Sequence, residues 1–240
     1  TTAQAVTLTA KAGSIDADKS EATTGDLSFK AAQDVLANTS TAKQDVLVDA
    51  GRDAKLGSTT AGRDIKVDAK QDIALATTDA GRDIILKSGR NTKAETTTAG
   101  GTLTANAAGT LTLDSAQTKG DQTLTAQGDL TTTTLKSTDG KIVATSETGT
   151  VKTGSTTAQA VTLTAKAGSI DADDTTATSG DVSLNAANNI RTRLLESTKG
   201  SITSDALNGD INSGTTLAGL DVTFRALNGS IDALDTTAGR

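Results

Sequence analysis

Apolar residues return along this chain at a near-constant interval and do not gather into runs. The recurring phrase is apolar-x-apolar-x-Ala, a short polar turn, and then another apolar residue. Its first position falls at Val6, Leu27, Val46, Ile65, Ile84, Leu103, Gln122, Ile142, Val161, Val182, Ile202 and Val222, and only Gln122 is polar. Successive positions lie 19 to 21 residues apart, so twelve units cover the chain. Two residues further on stand Leu8, Phe29, Val48, Val67, Leu86, Leu124, Leu163, Leu184 and Phe224, among smaller residues. Two beyond those, ten of the twelve are Ala, and the others are Ser88 and Ser146. This strict period-two alternation predicts a strand with one buried face.

A second apolar column follows each turn and includes Ile15, Val35, Ile73, Leu111, Ile170 and Ile231. The turn is either Ala-x-x-Asp/Asn-Ile, as at 69–73, or one residue longer with Gly, as at 165–170 and 226–231. Asn-Gly and Ala-Gly steps are expected to supply a residue with positive φ at that corner. A Thr-rich stretch closes each unit as a predicted third short strand, for example 58–61 and 96–99. Gly62, Gly81, Gly100, Gly180, Gly200 or Gly219 follows at the next corner. A longer duplication overlies the short period, because residues 1–18 recur unchanged at 156–173.

Strands this short cannot bury a face alone, but they can if each unit is one turn of a parallel β-helix stacked on the next. Coils ~4.8 Å apart would make twelve of them a rod of roughly 58 Å. Helical repeats need apolar spacings of three and four, and the density of Thr and Val disfavours helix. A sandwich or barrel would show irregular loop lengths. The expected fold is therefore all-β, a solenoid of about 12 coils with a 19–21-residue repeat. Residues 1–240 are expected to form one continuous segment. No capping unit is visible, and the chain opens at Thr1 without Met and stops at Arg240. Both features suggest the middle of a longer shaft whose caps protect the strand edges.

Composition sharpens this picture. Val, Ile, Leu and Phe total 45 of 240 residues, with Phe29 and Phe224 the sole aromatics, while Thr (47) and Ala (38) dominate. That profile leans towards disorder in a globule, yet 30 of the 45 fall in the three inward columns. A narrow solenoid needs no more. The net charge is −6, and there is no Cys or His. Zinc fingers, thiol nucleophiles and Ser-His-Asp chemistry therefore have no residues to use. An acidic chain without stacking aromatics is a poor nucleic-acid binder. No apolar run approaches the length of a membrane span, and the first residues given do not show the basic-then-apolar pattern expected of a signal peptide.

Units such as Ala61-Gly62-Arg63-Asp64-Ile65-Lys66-Val67-Asp68-Ala69-Lys70-Gln71-Asp72-Ile73 resemble the repeats of filamentous haemagglutinin-type exoproteins, the large adhesins of two-partner secretion systems. The resemblance extends over essentially the whole chain and is one of repeat type. It implies a right-handed parallel β-helix that serves as the structural shaft of a surface-displayed or secreted bacterial adhesin. The chain would be a fragment of a larger exoprotein. The resemblance further implies export by an outer-membrane transporter partner, and contact with host or neighbouring cells through other regions that carry adhesive or toxic, virulence-related activity. The N-terminal secretion domain typical of such proteins lies outside these residues.

Several constellations invite a more specific reading. Asp26, Asp45, Asp64 and Asp83 precede the first strand in consecutive units, and Asp34, Asp53 and Asp72 precede the second. Stacked carboxylates could share Ca²⁺, which takes six to eight oxygens; alternatively each caps its turn by accepting a nearby backbone N–H. Arg52, Arg63 and Arg82 lie directly before an Asp and could relieve repulsion. Capping is favoured, so no metal, cofactor or catalytic residue is assigned. The outward pairs Thr7/Thr9, Thr123/Thr125 and Thr162/Thr164 are similar to the ladders of ice-binding solenoids, but they fall in non-adjacent coils interrupted by residues such as Lys66 and Asp68. A β-helical polysaccharide hydrolase needs a cleft with paired carboxylates, and units of 21 residues or fewer leave no loop to wall one; no enzyme activity is expected. A glycan- or matrix-binding face is the main alternative to a pure shaft. Asn38-Thr39-Ser40 and Asn228-Gly229-Ser230 match the glycosylation sequon by composition alone.

Overall fold

The computed structural model describes residues 1–239, and strands, corners and no helix make up the described residues. The chain forms a parallel β-solenoid of about twelve turns, in which five-residue strands alternate with eight-residue strands. Two compact units are distinguished, Thr1–Gln117 and Thr118–Arg240.

In the first unit the strands Val46–Ala50, Ile65–Ala69 and Ile84–Ser88 pair parallel and in register, so that Val46, Ile65 and Ile84 stack directly. The strands Ala54–Ala61, Ile73–Ala80 and Thr92–Ala99 form the opposing sheet in the same way. The second unit repeats the plan. Val161–Ala165, Val182–Ala186 and Ile202–Ala206 make one sheet, and Ile170–Ala177, Ile190–Ser197 and Ile211–Ala218 the other. Corners are bonded too: the N–H groups of Gly62 and Arg63 donate to the carbonyls of Ala42 and Gln44 in the coil before.

The columns expected to point inward are buried through most of the chain, but not in the last coil, where Ile231 is 47% exposed and Val222 is half-buried. Leu27, Ile65, Ile84, Leu103, Ile142 and Val182 are fully buried, as are Val35, Leu111 and Ile190 in the second column. Each such side chain contributes on the order of 1.5–3 kcal/mol relative to exposure. Gln122 also points inward and is buried. Its Nε2 donates to the Lys136 carbonyl at 2.8 Å and to the Thr118 hydroxyl at 3.3 Å, which offsets the cost of taking an amide out of water. Phe29 is buried, whereas Phe224, in the last coil, is half-buried.

Two expectations are corrected. The Thr-rich stretch is not a third strand but the second half of the eight-residue one. In Ala54–Ala61, for example, Gly57 and Ser58 are adjacent and neither points into the core, so the chain bends there and alternation resumes out of phase. The resumed phase creates an inward column that the apolar pattern hides, namely Ser20, Ser40, Thr59, Thr78 and Thr97, all buried. Nor does any corner use positive φ: none occurs among the described residues. Gly62, Gly81 and Gly100 are needed for a different reason. A Cβ on any of them would run into the carbonyl of the corner stacked beneath, on Lys43, Gly62 and Gly81 respectively. These glycines serve close approach of backbones.

Candidate functional site

The Asp columns are the most ordered polar feature of the first unit. Each Asp sits at the corner entering a strand, one residue before the inward apolar position. There its carboxylate reaches the next coil. The Asp26 Oδ1 accepts the N–H of Asp45 at 3.0 Å, Asp45 that of Asp64 at 3.1 Å, and Asp64 that of Asp83 at 3.2 Å. Asp83 ends the series by accepting both the N–H and the hydroxyl of Thr102, at 2.7 and 2.8 Å. The second column behaves alike: Asp34 accepts from Asp53, Asp53 from Asp72, and Asp72 from Asn91. The capping reading thus holds with a change of partner, since each carboxylate caps the equivalent residue one coil on.

Arginines complete the rungs, but not with the Asp that follows each in sequence. Arg63 grips Asp45 with Nε–Oδ1 at 3.0 Å and Nη2–Oδ2 at 2.6 Å, and Arg82 grips Asp64 at 3.1 and 2.7 Å. Arg52 grips Asp34, and Arg90 meets Asp72 at 2.6 Å. Each guanidinium therefore reaches back 18 residues. Arg90 escaped the sequence reading because Asn91, not Asp, follows it; the spacing to Asp72 was the available signal. The Arg63 guanidinium holds the Asp45 carboxyl below its ordinary range, and Arg52 does the same for Asp34. Burial opposes the shift at Asp72, but the Asn91 N–H and Arg90 outweigh it. The Thr102 N–H lowers Asp83.

These oxygens are engaged by N–H and guanidinium groups, and among the described residues no three carboxylates converge as a metal site would require. The arrangement links each coil to the next through side-chain to backbone hydrogen bonds and ion pairs. The second unit carries the same device with mixed residues, which the sequence reading missed for want of an unbroken Asp column. Asp121 accepts from the Lys141 N–H at 2.9 Å, Asp129 from Thr150 at 2.8 Å, Asp181 from Ser201 at 2.7 Å, and Asp210 from Ser230 at 2.8 Å. The Ser230 N–H lowers the Asp210 carboxyl.

The outer faces are open. Thr7/Thr9 face Ser28 and Lys30, so no Thr ladder starts there. Thr125 and Thr164 flank Thr145, and these three form a short Thr column, while Val143 separates Thr123 from Thr162. Asn38 lies outside the core at a strand bend, where its amide donates to Asp18 at 2.8 Å. A shallow groove in the first unit runs past Asp16, Leu36, Lys55, Lys93 and Glu95, and one in the second past Asp171, Arg191, Arg193 and Asp232. Both are strand-bend furrows open to solvent. Comparison with family models, with curated proteins and with solved structures returns no match.

Proposed function

We propose that this chain is part of the structural shaft of a large extracellular bacterial adhesin of the filamentous haemagglutinin type, a stiff spacer that holds binding or toxin domains away from the cell. In this reading it is not an enzyme, and the parent is exported by an outer-membrane two-partner transporter. The observation that carries the proposal is the use made of polar side chains. Corner after corner spends its Asp, Asn, Ser and Arg residues on the adjoining coil, with register kept from rung to rung. A surface built for a ligand keeps convergent polar groups free for it; here they are consumed in stacking. A right-handed path is part of the proposal, supported by the strong preference of parallel strand–crossover–strand connections for that hand. The test is to present the purified chain to glycan arrays and to immobilised matrix proteins. A shaft gives no saturable binding, and any binding follows ionic strength. Saturable, salt-resistant binding to a defined glycan or matrix protein would overturn the shaft reading in favour of a ligand-binding face.

A further inference from the structure

Two corners of the second unit share the sequence Ala-Leu-Asn-Gly, at 206–209 and 226–229. Asn188, Asn208 and Asn228 occupy the same place in successive corners, and all three are exposed. Their side chains are held differently. The Asn188 amide donates to the Ala167 carbonyl at 3.1 Å, and that of Asn228 to the Leu207 carbonyl at 3.0 Å and to the Asn208 Oδ1 at 3.2 Å. The Asn208 amide donates to nothing among the described residues; its Oδ1 only accepts. The following nitrogen differs as well. The Asn189 N–H is directed at the Ser169 hydroxyl at 3.3 Å, whereas the N–H groups of Gly209 and Gly229 donate to no acceptor among the described residues.

An asparagine followed by glycine is open to a self-modification that needs only water. The backbone nitrogen of the glycine attacks the side-chain Cγ. A nitrogen–carbon bond forms, the nitrogen's proton passes to solvent base, and the amide C–N bond breaks with release of ammonia. Water then opens the five-membered imide at one of its two carbonyls, leaving aspartate or isoaspartate. The reaction requires an exposed amide able to swing, an unengaged nitrogen, and no Cβ on the following residue to block the approach. We propose that Asn208 is such a site and the first of the three to react, with Asn228 slowed by its bond to the Leu207 carbonyl, since the bond between the two side chains restrains both. Asn188 is slower still, because its neighbour is Asn189 and that nitrogen is engaged.

The consequence follows from how tightly this corner stacks. Gly209 has no space for even a Cβ, which would collide with the Asn189 Oδ1 and lie 2.8 Å from the Asn188 carbonyl carbon. Isoaspartate at 208 adds a methylene to the backbone directly before that glycine. It would displace the rung in which the Asn189 Oδ1 accepts the Asp210 N–H at 2.8 Å. Age would therefore be written into one corner as a new negative charge and a loosened rung.

Tryptic cleavage after Lys199 and Arg225 places Asn208 and Asn228 on separate peptides, so each can be followed by mass spectrometry after incubation in mildly alkaline buffer. In the folded chain Asn208 is expected to convert about fivefold faster than Asn228, the factor that ~1 kcal/mol of net hydrogen-bond free energy makes in a rate. In urea, where local sequence alone acts, the two should convert at equal rates. The Asn208→Gln variant should remove conversion from the peptide that also carries Asn212. Equal rates in the folded chain, faster conversion of Asn228, or persistence of the signal in the Asn208→Gln variant would each overturn the proposal.

Discussion

Asp45 makes two kinds of bond, and they carry different weight. Its ion pair with Arg63 lies at the surface, where the guanidinium side chain is 44% exposed; pairs of this kind contribute roughly 0.2–1 kcal/mol. Its capping of the Asp64 N–H satisfies a backbone donor that has no other acceptor among the described residues, and such bonds contribute about 0.5–1.5 kcal/mol net. Asp45→Ala is therefore expected to cost about 1–2 kcal/mol in urea denaturation, while Asp45→Asn, which keeps the acceptor, should cost clearly less; equal losses would make the ion pair the dominant bond. The same carboxylates set the response to acid. Folded pKa values for Asp34, Asp45, Asp72, Asp83 and Asp210 are depressed. Their contribution is present in full above the unfolded value of about 3.9 and is lost as pH falls through the lower folded values. Stability against urea should therefore hold from neutrality down to about pH 5 and fall below about pH 4. The Asp columns were legible in the sequence as columns. Their partners were not, because a rung joins residues offset by one coil, and that offset appears only once the register is known.

At the scale of the strand, the bend in the eight-residue elements is the informative feature. Alternation made the five-residue strands readable without ambiguity. In Ile73–Ala80 the adjacent outward pair Ala76-Thr77 resets the phase, so Thr78 enters the core although it sits in a run that looks polar throughout. The glycine corners were misread for a related reason, since glycine marks either positive φ or close approach, and only the stacked carbonyls distinguish the two. Among the described residues the inward hydroxyls of Ser40, Thr59, Thr78 and Thr97 meet no hydrogen-bond partner, whereas Ser213 meets Thr192 at 3.0 Å and Thr216 at 2.8 Å. An unpartnered buried hydroxyl costs about 1–3 kcal/mol of desolvation. Thr78→Val is accordingly expected to raise stability by about 1 kcal/mol, and Ser213→Ala to lower it by a similar amount. Loss of stability in Thr78→Val, measured by urea titration, would show that its hydroxyl is bonded after all.

At the scale of the molecule, cohesion is a sum of nearest-neighbour terms. The sheet pairings and corner rungs bond a coil to the one before or after it, which is the condition under which a repeat protein yields unit by unit. The number of turns was legible from the period because each turn spends a near-constant number of residues; the hand of the path was not, since either hand shows the same columns. The proposed shaft role requires resistance to extension, so the decisive measurement is to stretch the chain from its two ends in an optical trap. The prediction is resistance followed by stepwise release in multiples of one coil, each step lengthening the chain by about 60 Å, the extended length of 19 residues less the ~4.8 Å that a stacked coil already spans. Smooth extension without resistance, or release in increments unrelated to the coil, would contradict it.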